Sequence, residues 1–159
     1  MSEVGQEIHK QLSVQCFNAC WSLIEKADRC PDDTENMILL ASVSLWHWKQ
    51  REDCAPSNLS VGYWQMARVT TLAGHFESAR VWAERCREIS ESESLGPFYL
   101  GYAHEAMARL AATQGDTISA RQQSEFARDC LSRVDDDEER SFLEADLNTI
   151  PFGGAGSQA

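Results

Sequence analysis

Apolar and small side chains recur along this chain at intervals of three and four residues, which is the spacing of one face of an α-helix. Short segments containing Pro, Gly or Asp separate the periodic stretches, and no stretch alternates as a β-strand would. The pattern predicts an all-α protein with seven helices in one domain over residues 1–150. Helical hairpins are expected at about residues 7–50, 57–90 and 97–133. A last helix is expected at about residues 136–148.

The last predicted helix begins at an acidic run, residues 135–139, because carboxylates suit the positive end of a helix dipole. Its apolar side would contain Phe142, Leu143, Leu147 and Ile150. It can therefore cap a stack of hairpins. Pro151 should stop it, and the Gly-, Ser- and Ala-rich residues 151–159 are predicted to form a disordered tail.

Part of the helical pattern repeats after 41 residues. The matched positions are Pro56 with Pro97, Met66-Ala67-Arg68 with Met107-Ala108-Arg109, Gly74 with Gly115, and Ser78-Ala79-Arg80 with Ser119-Ala120-Arg121. Each copy begins at a proline, which suits the first turn of a helix, and has a glycine where that helix should stop. The two copies therefore predict two helix–turn–helix units of the same build.

The glycine-led segments 74–79 and 115–120 resemble the turn of the tetratricopeptide repeat, and Ala67 and Ala108 stand where that family has a small residue. The repeat is longer than the family's unit of about 34 residues and lacks its closing proline. Residues 58–66 are also similar to uncharacterised bacterial proteins of this kind. The resemblance implies a right-handed α–α superhelix of about three helical hairpins with a C-terminal capping helix.

The chain of 159 residues carries a formal net charge of −11. Nucleic acids and anionic membrane surfaces attract clustered Lys and Arg side chains, so neither is expected as a partner. No apolar run is long enough to span a bilayer, and residues 1–10 lack the apolar stretch of a secretory signal. The six cysteines suit a reducing compartment, and a cytoplasmic location is predicted.

The sequence contains no phosphate-binding loop, nucleophile elbow, zinc-protease motif or dinucleotide fingerprint. Its histidines are dispersed, at His9, His47, His75 and His104. Cys16 and Cys20 lie one helical turn apart, but no second pair at zinc-ligand spacing follows. No catalytic residue, metal or cofactor is therefore predicted. The alternative is a small-molecule or metal site, enzymatic or not, formed by Trp64, Arg68, His104 and Arg109.

In a tetratricopeptide-like stack the first helix of each hairpin lines a concave groove that binds partner segments. The family's groove positions imply a lining of Val61, Trp64, Arg68, Thr71, Leu72, Tyr102, Glu105, Arg109, Ala112 and Thr113. Arg68 and Arg109 are equivalent residues one repeat apart. Two guanidinium groups on adjacent helices can bind a carboxylate, such as that of an acidic peptide or a chain terminus. In the alternative, the arginines pair with Glu residues of this chain, foremost Glu105.

The triplet Trp46-His47-Trp48 places two indoles on different faces of one helix, because adjacent helical residues point in different directions. One indole is expected to pack in the core and the other to reach a neighbouring hairpin or a partner. An exposed Trp here would favour self-association, since a short stack of hairpins has an edge to cover. The chain is accordingly predicted to be a non-catalytic scaffold that binds an unidentified protein or peptide, with a homodimer as a further alternative.

Overall fold

The computed structural model describes residues 5–153. These residues form α1 (Gln6–Ile24), α2 (Pro31–Gln50), α3 (Pro56–Leu72), α4 (Phe76–Ser92), α5 (Pro97–Thr113), α6 (Thr117–Leu131) and α7 (Asp137–Asn148). No β-strand occurs among them, and the prediction of an all-α protein is confirmed. Residues 1–4 and 154–159, which include most of the predicted tail, lie outside the described residues.

Local side-chain chemistry determines where the helices begin. Pro31, Pro56 and Pro97 occupy the first turn of α2, α3 and α5, where a missing N–H leaves no hydrogen bond unmade. The carboxylates of Asp116 and Asp136 accept backbone N–H groups in the first turns of α6 and α7, at 3.0 and 2.9 Å. The start of α7 therefore lies at the acidic run from which it was predicted.

Glycines end α3 and α5, as the repeat predicts. Gly74 and Gly115 adopt the left-handed conformation, with φ of 77° and 79°. After α3, the His75 N–H donates to the Thr70 carbonyl at 2.9 Å, and the Gly74 N–H donates to the Thr71 carbonyl at 3.1 Å. An equivalent pair of hydrogen bonds follows Gly115. These bonds satisfy carbonyls that a helix end leaves free, and the chain reverses within a few residues.

Consecutive helices pack in pairs: α1 with α2, α3 with α4, and α5 with α6. Between the pairs, α2 packs on α3, α4 on α5, and α3 on α5, while α7 packs on α5 and α6. The helices approach closely at buried small residues, namely Ala67, Ala79, Ala83, Ala108, Ala120 and Ala127. Gly101 serves the same purpose under α7, because a Cβ there would lie 2.6 Å from Leu143 Cδ2.

One side chain of the last helix differs from the prediction. Phe142 is 55% exposed, so its expected place beside the buried Leu143 was wrong. The first helix ends at Ile24, and the Arg29 guanidinium donates to carbonyls of its last turn. Trp46 is 52% exposed. None of the helices within residues 5–153 is long and apolar enough to cross a lipid bilayer.

Candidate functional site

A cavity of about 570 Å³ lies between α1, α3, α5 and α7, and we call it the groove. Each of the four helices contributes side chains to its mainly apolar wall. The lining consists of Phe17, Trp21, Glu25, Ser60, Val61, Trp64, Phe98, Tyr99, Tyr102, Phe142, Ala145, Asp146 and Thr149. Because α1, α3 and α5 are the first helices of the three pairs, the groove lies where those first helices meet.

A chain of aromatic rings forms much of the groove wall. The ring centroids of Trp21 and Trp64 are 5.5 Å apart, and those of Trp64 and Tyr102 are 4.8 Å apart. The Phe98 centroid lies 5.1 Å from that of Tyr102, and both rings that flank Tyr102 meet it edge to face. These separations are typical of favourable aromatic contacts. Ring contacts therefore connect α1, α3 and α5 along the wall.

Three of the predicted groove residues line this cavity. Val61 and Tyr102 are half-buried, and Trp64 is buried. The indole N–H of Trp64 donates a hydrogen bond to Glu105 Oε2 at 2.8 Å, so it is already satisfied within the protein. Val61 and Trp64 thus present apolar atoms to the cavity rather than free polar groups.

Arg68, Glu105 and Arg109 form a buried cluster behind the wall. Glu105 is fully buried, with an exposed fraction of 0%. Its Oε1 accepts hydrogen bonds from Arg68 Nη1 at 3.1 Å and from Arg109 Nε at 2.7 Å. The alternative in which the two arginines pair with Glu105 is therefore the arrangement in the structure. Glu105 occupies the position between the guanidinium groups that a partner's carboxylate was expected to take.

Arg109 also joins α5 to the end of α7. Its Nη2 donates to the Asp146 carbonyl and to Thr149 Oγ1, both at 2.8 Å, and its Nη1 donates to the Thr149 carbonyl at 3.1 Å. Arg68 is less completely paired, because its Nε is buried without a hydrogen-bond partner in the described part of the chain. Arg68 Nη2 lies 3.9 Å from Asp146 Oδ1. The cluster therefore connects α3, α5 and α7.

The remaining predicted residues lie outside the groove. Thr71 is buried, Leu72 is 38% exposed, and Thr113 Oγ1 donates to the Arg109 carbonyl of its own helix at 2.8 Å. Ala112 and Thr113 border a separate depression. The groove therefore occupies only the first halves of α3 and α5. The later part of α5 is covered because the end of α7 packs against Arg109.

The charged side chains in the lining, Glu25 and Asp146, are both acidic. Burial raises the pKa of Asp146 above its ordinary value, and the Glu105 carboxylate raises it further. The Tyr102 hydroxyl donates to Asp146 Oδ2 at 2.8 Å. Burial and the Asp146 carboxylate raise the pKa of Tyr102, so its phenol remains a donor at neutral pH. Burial lowers the pKa of Arg68, whose guanidinium nevertheless stays charged.

Much of the aromatic wall was missed from the sequence. Phe17 and Trp21 lie on α1, Phe98 and Tyr99 in the first turn of α5, and Phe142 on α7. Helices α1 and α7 lie outside the two clear repeat copies, so no repeat position could be carried onto them. The four-residue spacing of Phe17 and Trp21 was the signal that could have indicated an aromatic face.

Among the described residues, no His or Cys side chain lines the groove. No group of three or more His, Cys, Asp or Glu side chains suited to a metal ion lies within residues 5–153. His104, a member of the alternative site, has its Nδ1 2.8 Å from Gln123 Oε1 and its ring against Phe126, so it faces α6. The six cysteines are free. Burial raises the pKa of Cys20 and Cys86 to about 12, so both are protonated thiols at neutral pH.

None of the protein-family models, curated proteins and solved structures compared with the chain matches it. The tetratricopeptide resemblance therefore depends on the residues of the two repeat copies.

Proposed function

We propose that the chain is a non-catalytic tetratricopeptide-like scaffold whose three helical hairpins stack in a right-handed superhelix and whose groove binds a segment of a partner protein. One observation carries the proposal: four helices contribute to a single, mainly apolar cavity, and three of them are the first helices of successive pairs. The packing of α2 on α3, α4 on α5 and α3 on α5 agrees with a stack of helical repeats. The proposed setting is the cytoplasm, where the six cysteines would stay reduced.

The aromatic wall supports recognition through the partner's apolar atoms. Trp and Tyr are the side chains that most often dominate binding energy at interfaces, and here Trp21, Trp64 and Tyr102 are held in mutual contact. A partner carboxylate at Arg68 and Arg109 would have to displace Glu105. That displacement would leave Glu105 as an unpaired buried charge, which is strongly unfavourable. The proposal therefore assigns the main contact to the rings rather than to the arginines.

Selection from a displayed library of random peptides tests the proposal. Ala145 is exposed on α7 and lines the groove, so an Ala145→Trp substitution would fill the cavity with little disturbance of the core. Ala19 is an exposed α1 residue outside the lining, and Ala19→Trp is the matched control. Peptides should be enriched on the wild type and on Ala19→Trp but not on Ala145→Trp. Enrichment of the same peptides on all three proteins would refute binding in the groove.

A second candidate function is self-association through α2. Leu39, Val43 and Trp46 lie on one face of this helix, with exposed fractions of 52%, 40% and 52%. At the other end of the chain, α7 packs over α5 and α6. An apolar stripe of this kind on a surface helix is a common contact between subunits. The oligomeric state of a Trp46 variant tests this candidate.

A further inference from the structure

We propose that the groove binds an alkylammonium cation, and that the cation is a lysine side chain of the partner segment. This inference rests on the proposed function, because it names the chemistry of the segment that the groove would bind. It combines two observations: an aromatic wall and an acidic lining.

The wall of the groove is rich in aromatic rings, and such rings attract cations. Trp21 is half-buried and lines the cavity, and its ring continues the row formed by Trp64 and Tyr102. A cation over the face of an aromatic ring is attracted by the ring's quadrupole, and Trp attracts it most strongly. A lysine stem can lie along such a wall while its charged end remains near water or a carboxylate.

The charges of the lining complement a cation. Glu25 and Asp146 are the charged members of the lining, and it contains no Lys or Arg. Arg68 and Arg109 lie behind the wall, where they donate to Glu105, and Arg68 Nη2 also lies 3.9 Å from Asp146 Oδ1. The chain as a whole carries a formal charge of −11, so long-range attraction also favours a basic segment.

Lysine fits this combination better than a compact cation does. Its four-carbon stem can cover apolar wall, and its ammonium can reach a carboxylate. A tetramethylammonium ion has no N–H group, so it cannot donate a hydrogen bond to Glu25 or Asp146 as a lysine ammonium can. An uncharged aliphatic side chain would cover the wall but gain nothing from Glu25 or Asp146.

Binding of three small probes to the full chain tests the charge requirement. The probes are Nα-acetyl-lysine methylamide, N-acetyl-norleucine methylamide and tetramethylammonium chloride. The norleucine probe has a similar apolar stem without the charge. The indole N–H signals of Trp21 and Trp64, assigned with Trp→Phe variants, report binding by NMR. We expect the lysine probe to bind about 3- to 30-fold more tightly than the norleucine probe, the range that cation–π attraction allows. Equal or tighter binding of norleucine would overturn the inference. Binding of tetramethylammonium in preference to lysine would overturn the assignment to a lysine side chain.

Charge-neutral variants locate the cation. Glu25→Gln and Asp146→Asn should each weaken the lysine probe about 3- to 10-fold and leave the norleucine probe unchanged, as expected for the loss of one nearby carboxylate. Glu125→Gln, an exposed position on α6 outside the lining, is the control and should change neither. Glu25 is exposed, so its variant remains informative even if Asp146→Asn disturbs the Tyr102 hydrogen bond. Lysine binding that neither lining variant weakens would refute the site.

The peptide selection separates the two proposals. Lysine-rich peptides that are enriched on the wild type but not on Ala145→Trp depend on the groove and would support both proposals. Groove-dependent peptides without basic residues would uphold the scaffold function and overturn the lysine inference. If no peptide depends on the groove, the proposed function fails, while the probe measurements still decide whether the cavity accepts an alkylammonium group.

Discussion

Replacing Glu105 with Gln removes the charge that two buried guanidinium groups share. Glu105 is fully buried and accepts hydrogen bonds from Trp64, Arg68 and Arg109. Removing one partner of a buried ion pair typically costs about 3–5 kcal/mol, because the other charge is left without compensation. Gln keeps one oxygen as an acceptor, so we expect a loss of about 3–4 kcal/mol in the free energy of unfolding. For a chain of this length that loss lowers Tm by about 6–16 °C.

Urea unfolding followed by circular dichroism at 222 nm measures this loss. The midpoint should fall while the slope with urea stays constant, since the surface exposed on unfolding is unchanged. Glu91→Gln is the matched control because Glu91 pairs with Arg87 at 2.8 Å on the surface of α4. Pairs of that kind contribute about 0.5 kcal/mol or less. The control should therefore unfold almost as the wild type does.

A loss below about 1 kcal/mol for Glu105→Gln would refute the reasoning, because it would equal the cost of one ordinary neutral hydrogen bond. The two arginines supply a further check. Arg109→Met should destabilise more than Arg68→Met, since only Arg109 donates to the Asp146 and Thr149 carbonyls at the end of α7. The reverse order would mean that the contacts with α7 contribute little.

Three further changes test other parts of the structure. Gly101→Ala should lower the free energy of unfolding by about 1–3 kcal/mol, because its Cβ would overlap the buried Leu143, and urea unfolding measures the loss. Burial and the nearby His9 lower the pKa of His47 below its ordinary value of 6.5. The unfolded chain therefore binds the proton more readily than the folded chain does, and stability is lost as the pH falls below about 6.5. His47→Gln should reduce the difference between the urea midpoints at about pH 7.5 and pH 5. If α2 mediates self-association, Trp46→Glu should convert a dimer to a monomer in sedimentation velocity without loss of helix content.

Matched substitutions at other positions control for these three changes. Gly62→Ala, whose Cβ would meet Leu45 alone, at 2.8 Å from its Cδ1, should cost less than Gly101→Ala, whose Cβ would meet both Leu143 and Cys130. Equal costs would contradict the packing of α7. His75→Gln, at an exposed turn, should leave the pH dependence unchanged. An unaltered pH dependence of His47→Gln would assign the acid sensitivity to other groups. Val81→Glu is the control for Trp46→Glu, because it alters an exposed apolar residue of α4, and it should leave a dimer intact. A wild-type protein that is already a monomer would exclude self-association through α2.

The fold was predictable to the extent that it depends on local signals. Pro56 and Pro97 begin helices, and Gly74 and Gly115 end them, because each residue type matches a backbone requirement that does not depend on the rest of the chain. The face that a helix buries was less certain. Phe142 was placed with Leu143 on the apolar side of the last helix, yet only the packing of α7 on α5 and α6 determines which of the two adjacent residues is covered.

The site was predictable only in part, for a similar reason. The 41-residue register brought Arg68 and Arg109 to equivalent positions, and both do contact one carboxylate. The sequence left open whether this carboxylate belongs to a partner or to Glu105, because an Arg side chain pairs with either by the same chemistry. Asp146 lies outside the repeat, and its approach to Tyr102 depends on the tertiary position of α7.

The buried cluster is better explained by orientation than by stability. A buried ion pair contributes little more to stability than apolar side chains of the same volume would. Glu105, however, accepts a hydrogen bond from the Trp64 indole, and Arg109 donates one to the end of α7. At the same end of α7, Asp146 accepts a hydrogen bond from the Tyr102 hydroxyl. The walls contributed by α3, α5 and α7 are thus held together by hydrogen bonds that apolar residues could not make. A wall fixed before the ligand arrives loses less conformational entropy on binding, which increases affinity. If the groove binds a partner as proposed, the two arginines that the repeat singles out would act on binding indirectly, by holding the aromatic wall in shape.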